Sequence, residues 1–253
     1  MNPVVFALRA LSLVRRVVLA MSSRFVGLSR HGVVAAERFA NRPAHRRGAQ
    51  YVASQLAGSV FIGIGVALFV HAELGVPAYD VMLTALRDQL GITLGQAAWL
   101  LTGTLFGVAT LLGNRPQLSG LAYMLANGIA VDAAVALIVP PEAMVLRLAF
   151  VVFGTLAIAA GVALIVHAGL TGGAIELLMQ AAHDRGIDPF RARYALEIGI
   201  VVAGVALGGD LGPATIFFVL TMSPALKFGQ QALRDHREGR ALRLAAPPPA
   251  TQR

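Results

Sequence analysis

The sequence predicts an all-α, polytopic helical membrane protein with six transmembrane helices and two short amphipathic or re-entrant helices, set out in two repeats of inverted sense. Three observations predict it. The first is composition: 57% of the 253 residues are apolar and 13% are charged, with a mean hydropathy of +0.70. A soluble domain carries about 25% charged residues. The second is where the charge is missing. From about residue 51 to 233 the chain is nearly continuous apolar sequence, cut into runs close to 20 residues long. A run of ~20 residues at 1.5 Å rise crosses the ~30 Å hydrocarbon core of a bilayer. The third is self-similarity. Residues 65–74 read GVALFVHAEL and residues 161–170 read GVALIVHAGL, so eight of ten positions coincide at a separation of 96, histidine included.

Taken in order, residues 1–48 form a basic N-terminal extension, with nine arginines against one acid, Glu37. It is acid-poor and amphipathic, which fits a surface helix, a transit-like sequence, or an upstream-extended start with translation beginning near Met21. The first membrane repeat, residues 49–139, holds spans at 51–72, 95–113 and 118–139. The second, residues 140–233, holds spans at 144–167, 191–208 and 213–232. Asn114-Arg115-Pro116, Pro140-Pro141-Glu142 and Gly208-Gly209-Asp210 punctuate the boundaries. These links are short, so consecutive spans are expected to run antiparallel. Residues 234–253 are expected to be a disordered cytoplasmic tail.

Between the first two spans of each repeat lies a shorter helical segment, PAYDVMLTALRDQLG (77–91) and GAIELLMQAAHDRG (173–186). Each is about 21 Å long at 1.5 Å per residue, too short to cross the core alone. Asp80, Thr84, Arg87 and Asp88 form a stripe on one face of the first, and Glu176, Gln180, His183 and Asp184 repeat it in the second. After a one-residue contraction, Gly91-Ile92 matches Gly186-Ile187. Shared apolar composition produces scattered matches, but not a histidine and a polar stripe together.

If each unit crosses three times, the copies are inverted, as in many transporters. If the short helices also cross, there are eight crossings and the copies are parallel. Six crossings place Arg115, Arg185, Arg191, Arg193 and both termini inside, with Arg87 and Arg147 as exceptions. Eight leave only Arg115 as an exception. Length and the charged stripes favour six, and both arrangements imply a cytoplasmic (inner) membrane protein with cytoplasmic termini.

The net charge of +8 sits mostly in the flanks, where basic residues set topology and meet anionic lipid. That distribution argues against nucleic acid and names the bilayer as partner. Cysteine is absent, so disulfides and thiolate metal sites are excluded. No phosphate-cradling loop, HExxH motif or nucleophile elbow is present, and neither an enzyme nor a cofactor is expected.

Ionisable groups within a membrane span are costly and mark functional candidates. His71 and His167 end the repeated runs, either as titratable ligand groups or as interfacial closures of helix C-termini. Their separation gives no metal-ligand spacing. Asp80 and Glu176 fall in the first turns of the short helices, where unpaired N–H groups stabilise a carboxylate. Alternatively, both line a polar cavity with Thr84 and Gln180. Asp132 is repeat-equivalent to Lys227, which suggests a pair if the copies are parallel. Glu197 is within i, i+4 reach of Arg193, or else faces a central cavity. Asn127 and Tyr123 are expected to hydrogen-bond between helices. Gly103-x-x-x-Gly107 and Gly204-x-x-x-Gly208 are expected to pack closely, and Trp99 and Tyr194 to anchor at the interface.

Several motifs occur in a family's order: His71-Ala72-Glu73-Leu74-Gly75, Val76-Pro77-Ala78-Tyr79-Asp80 and Gly91-Ile92-Thr93-Leu94-Gly95, then Gly186-Ile187, Thr215 and Ser223-Pro224. In these the chain resembles the YczE/YyaS/YitT-like bacterial integral membrane proteins, closest to the YczE branch, over about residues 51–232. It departs from them at Gly120 and Tyr123, where Thr and Asn are common, and at Thr171-Gly172-Gly173, which lacks a proline. The family has no settled activity, so the resemblance implies a membrane location and little about substrate. The residues themselves lead to a transporter-like permease or channel for a small polar solute. The alternative is a non-transporting accessory or scaffold protein that assists a partner enzyme or a lipid process.

Overall fold

The computed structural model describes residues 49–116, 118–168, 173–222 and 224–226, and every described element is helical. In chain order these are α1 (Ala49–Ala72), α2 (Asp80–Leu90), α3 (Leu94–Leu111), α4 (Leu118–Leu137), α5 (Met144–Ala168), α6 (Ala174–His183), α7 (Pro189–Ala206) and α8 (Pro213–Met222). Among the described residues four helices, α1, α3, α4 and α5, are long and apolar enough to span a bilayer. Two of the expected spans fall short of that standard. α7 carries Arg191, Arg193 and Glu197, and α8 is described over only ten residues.

Local chemistry sets the helix ends. Thr93 opens α3 with a capping box, accepting from Gln96 N at 3.1 Å while Gln96 Oε1 accepts from Thr93 N at 3.0 Å. α7 opens with Asp188 as N-cap, accepting from Arg191 N at 2.9 Å, and with Pro189 in its first turn. α2 closes on Gly91 at φ +64°, a left-handed position that glycine tolerates and whose N–H caps Arg87 O.

Contacts fix the directions. α1 and α4 run parallel: Gln55 Nε2 donates to Ser119 O at 2.9 Å at one end, and His71 Nε2 donates to Val135 O at 3.0 Å at the other. α3 runs antiparallel to α4. At its start Thr93 Oγ1 and Gly95 N donate to the two oxygens of Asp132 at 2.6 and 2.7 Å, and further on Trp99 Nε1 donates to Leu125 O at 3.3 Å. Asp132 and Val135 lie within one turn of each other. The end of α1 and the start of α3 therefore sit at the same end of the bundle, and residues 73–93 leave and re-enter there. This connection carries α2 and returns to the end of the bundle from which it leaves.

α1 and α5 make the largest helix–helix contact, and they are antiparallel. Gly58 lies against Gly161 and Ile165, whereas Gly65 lies against Gly154 and Ile158. A Cβ on Gly65 would sit 2.8 Å from Gly154 O, and one on Gly58 2.9 Å from Gly161 O, so only glycine allows these backbones together. The short helices pack across the chain: α2 seats on α7 with Gln89 Nε2 donating to Leu207 O at 3.1 Å, and α6 seats on α3 with Arg185 Nη2 donating to Leu112 O at 2.9 Å. Leu207 and Leu112 close opposite ends of the bundle, so the two short helices enter from opposite sides.

The glycine expectations need correction. Nothing lies within 4 Å of where a Cβ would stand on Gly103, Gly107 or Gly208. Of those two motifs, Gly204 alone packs tightly, against the backbone of Val81 and Met82. Trp99 also differs from an interface anchor, since its indole lies over Gly128 between α3 and α4.

Candidate functional site

The chain reaches the interior through a clamp. Past α1, Glu73 (φ +54°) is held by Arg147, whose Nη1 donates to Glu73 Oε2 at 2.7 Å. Gly75 (φ +101°) then presses on Gly212, where a Cβ would approach its Cα to 2.6 Å. Val76 N donates to Asp210 O at 3.1 Å, Ala214 N to Leu74 O at 2.9 Å, and Thr215 Oγ1 to Val76 O at 2.7 Å. These bonds hold residues 74–76 against 210–215 and aim Pro77, Tyr79 and Asp80 inward.

Tyr79 stands immediately before α2, and its hydroxyl shares a 3.0 Å hydrogen bond with Thr102 Oγ1. Thr102 is nine residues along α3 from Thr93, a drop of about 13 Å. Tyr123 is nine residues back along α4 from Asp132, the same drop of about 13 Å. Both phenols thus lie well inside the bundle. The start of α2, with Asp80 in its first turn, therefore lies inside the bundle beside the Tyr79–Thr102 bond.

The two carboxylates differ in environment. Asp80 is 6% exposed, and burial pushes its carboxyl up to about 7. Burial likewise pushes the Tyr79 phenol up to about 12; the Thr102 hydrogen bond opposes this and the Asp80 charge adds to it. Glu176 is exposed and folds back over Gly173 at the N-terminus of α6. One turn from Tyr123, the amide oxygen of Asn127 is buried with no hydrogen-bond partner among the described residues. It does not bridge helices as expected. The candidate groups are two carboxylates and an unpaired amide oxygen, which accept, and two phenols and a threonine, which both donate and accept. Such a set suits a cation, a donor-rich polar solute or a proton. No group of three or more His, Asp or Glu is placed to hold a metal among the described residues.

The remaining candidates serve the scaffold or stand apart. Thr84 is fully buried, donating to Val81 O at 3.1 Å and accepting from Asp210 N at 2.9 Å. It is a bridge between α2 and the α7–α8 loop. Asp132 caps the start of α3, a partner that sequence reasoning missed; Lys227 lies outside the described residues. Glu197 accepts from Arg193 Nε at 2.8 Å, the i, i+4 pair expected. His71 reaches Val135 O rather than its own helix end. The His167 side chain lies outside the described residues. The stripes diverge: Asp80 and Thr84 are buried, while Glu176, Gln180, His183 and Asp184 are all exposed.

Residues 49–231 match the family described as "Family of unknown function (DUF6198)". The chain belongs to this family. Among its relatives is an uncharacterized membrane protein, YczE, of Bacillus subtilis (strain 168), 26% identical over 177 residues, which cover 68% of this chain and 81% of the relative. An uncharacterized protein of Haemophilus influenzae is 26% identical over 168 residues, 66% of this chain and 77% of the relative. No solved structure matches the chain. The YczE likeness read from the motifs holds, and with the apolar helices it makes this a membrane protein.

Proposed function

We propose that this membrane protein is a permease or channel for a small polar solute in the cytoplasmic membrane, with six crossings in two inverted units and both termini cytoplasmic. Support for the inversion comes from paired contacts. Adding 96 to a residue of α1 gives its counterpart in α5, so the Gly58–Gly161 contact becomes Gly154–Gly65. Gly58–Ile165 likewise becomes Gly154–Phe69, and Gly65–Ile158 becomes Gly161–Ile62. Contacts that exchange in this way between antiparallel helices are those of a two-fold axis lying in the membrane plane. Gln89 on Leu207 O and Arg185 on Leu112 O are a further exchanged pair. The two basic exceptions to a positive-inside arrangement are ion-paired, Arg147 with Glu73 and Arg87 with Asp88 and Asp210.

The observation that carries the transport reading is the start of α2 inside the bundle, where Asp80 is buried and Tyr79 bonds Thr102. Half-helices whose N-termini meet inside a bundle are how several transporter folds build a solute site. Proteoliposomes carrying the protein should accumulate at least one member of a panel of radiolabelled amines, amino acids and monovalent cations. Asp80→Asn should remove its dependence on an imposed proton gradient, and Glu176→Gln should weaken uptake. Uptake indistinguishable from empty vesicles across the panel removes the proposal. The exposed stripe of α6 favours a second reading, an accessory protein that docks a partner, and inactive but well-folded vesicles would favour it.

A further inference from the structure

We propose that the groove where the last turns of α3 and α6 meet the first turns of α7 binds an anionic phospholipid. Its acyl chain lies against Leu112, Leu178, Ala182 and Ala195, and its phosphate lies between Arg185 and Arg191. The groove has a volume of about 550 Å³, and those apolar and basic side chains line it. Both arginines are exposed at its mouth. Arg185 is held there by two bonds, Nη1 to Ala181 O and Nη2 to Leu112 O, each 2.9 Å, which leaves further N–H donors on a guanidinium that has five. Arg115 and Arg191 add to the positive charge at this end. Of the acids nearby, Asp188 is engaged in capping α7 through Arg191 N, and Asp184 is exposed.

The opposite end of the molecule supplies an internal control, provided the repeat proposed above holds. There the positions equivalent to Arg185 and Arg191 are Gln89 and Gln96, and those equivalent to Ala182 and Ala195 are Leu86 and Leu100. The first unit therefore has neither of these two charges and has larger side chains at the two alanine positions. The other kept two alanines and two arginines. Mere lipid exposure explains apolar residues at both ends, but not this paired difference. The arginine-bearing end is also the one a positive-inside arrangement places in the cytoplasm, where anionic lipid attracts basic pockets between helices.

The test is native mass spectrometry of the full chain in detergent, titrated with dioleoylphosphatidylglycerol and dioleoylphosphatidylcholine. The wild type should prefer phosphatidylglycerol by about fivefold or more, since one arginine near a charged headgroup is worth about that factor. R191Q, which keeps the N–H that Asp188 caps, should lose about fivefold of the preference. A195L should lower retention of both lipids. R185Q should behave as R191Q does if α6 keeps its seat. An unchanged preference in R191Q overturns the proposal, as does full retention in A195L. Displacement of the lipid by equimolar inorganic phosphate also overturns it, because the site would then belong to the free ion. None of these readouts needs a transported solute, so this proposal and the permease reading fail separately.

Discussion

Asp80→Asn should abolish a pH dependence of stability that the wild type carries. Asp80 is buried, and its carboxyl rises from 3.8 to about 7 for that reason alone. The opposing effect, a carboxylate in the first turn of a helix, is worth about 0.3–1 kcal/mol. The rise of about 3 units corresponds to about 4 kcal/mol at 1.36 kcal/mol per unit, so desolvation wins. The sign follows from a folded value above the unfolded one. The folded state binds the proton more tightly, so its advantage is complete below pH 4 and is lost as pH rises through 7. For a membrane domain of this size, about 4 kcal/mol moves a thermal midpoint by on the order of 10 °C. Thermal unfolding in detergent between pH 4.5 and 8.5 should show the wild-type midpoint falling relative to that of Asp80→Asn, with the gap widening up to about pH 7 and constant above it. Parallel curves across the range would refute the reasoning, because they would mean that Asp80 reaches water in the folded state.

Gly65→Val should destabilise by about 1–3 kcal/mol through overpacking at the α1–α5 crossing, whereas Gly107→Ala, which meets nothing within 4 Å, should leave the thermal midpoint unchanged or slightly raised. Asp132→Ala should cost about 1–2 kcal/mol by removing the acceptor at the start of α3, and hydrogen exchange should show the first turn of α3 opening before the rest. Thr84→Val should cost about 1–3 kcal/mol because it leaves the Asp210 N–H without its acceptor, read as a lower midpoint with the helical circular dichroism retained. In this cysteine-free chain, single cysteines at Asp88 and Asp184 should label from opposite faces of a sealed vesicle. Labelling from one face would mean eight crossings.

Much of the scaffold is written locally. Thr93 and Asp188 announce two helix starts, Gly91 and Gly186 two helix ends, and the Arg193–Glu197 spacing one ion pair, because each depends on neighbours within a turn. Long-range partners are another matter. Asp132 aligns with Lys227 in the sequence, yet its carboxylate goes to Thr93 and Gly95, whose N–H and hydroxyl groups begin a helix and need an acceptor. The Gly103 and Gly204 motifs have the familiar four-residue spacing, but three of their four glycines meet open space. The glycines that pack α1 on α5 are Gly58, Gly65, Gly154 and Gly161, spaced by seven and repeated at 96. That second-order periodicity was present in the sequence as a signal and is the one that could have located the crossing. The burial of Asp80 beside the Tyr79–Thr102 bond depends on how far the 73–93 loop dips into the bundle, which no periodicity encodes.

The seating of α2 on α7 has a consequence for how the chain is made. Val81 rests on Gly204 and Gly209, so the first short helix, which meets α3 through Tyr79 and Thr102, lacks its seat on α7 until more than a hundred further residues have left the ribosome. A nascent chain arrested before Gly204 should accordingly leave the region around Asp80 open to protease, and extension past Gly209 should close it.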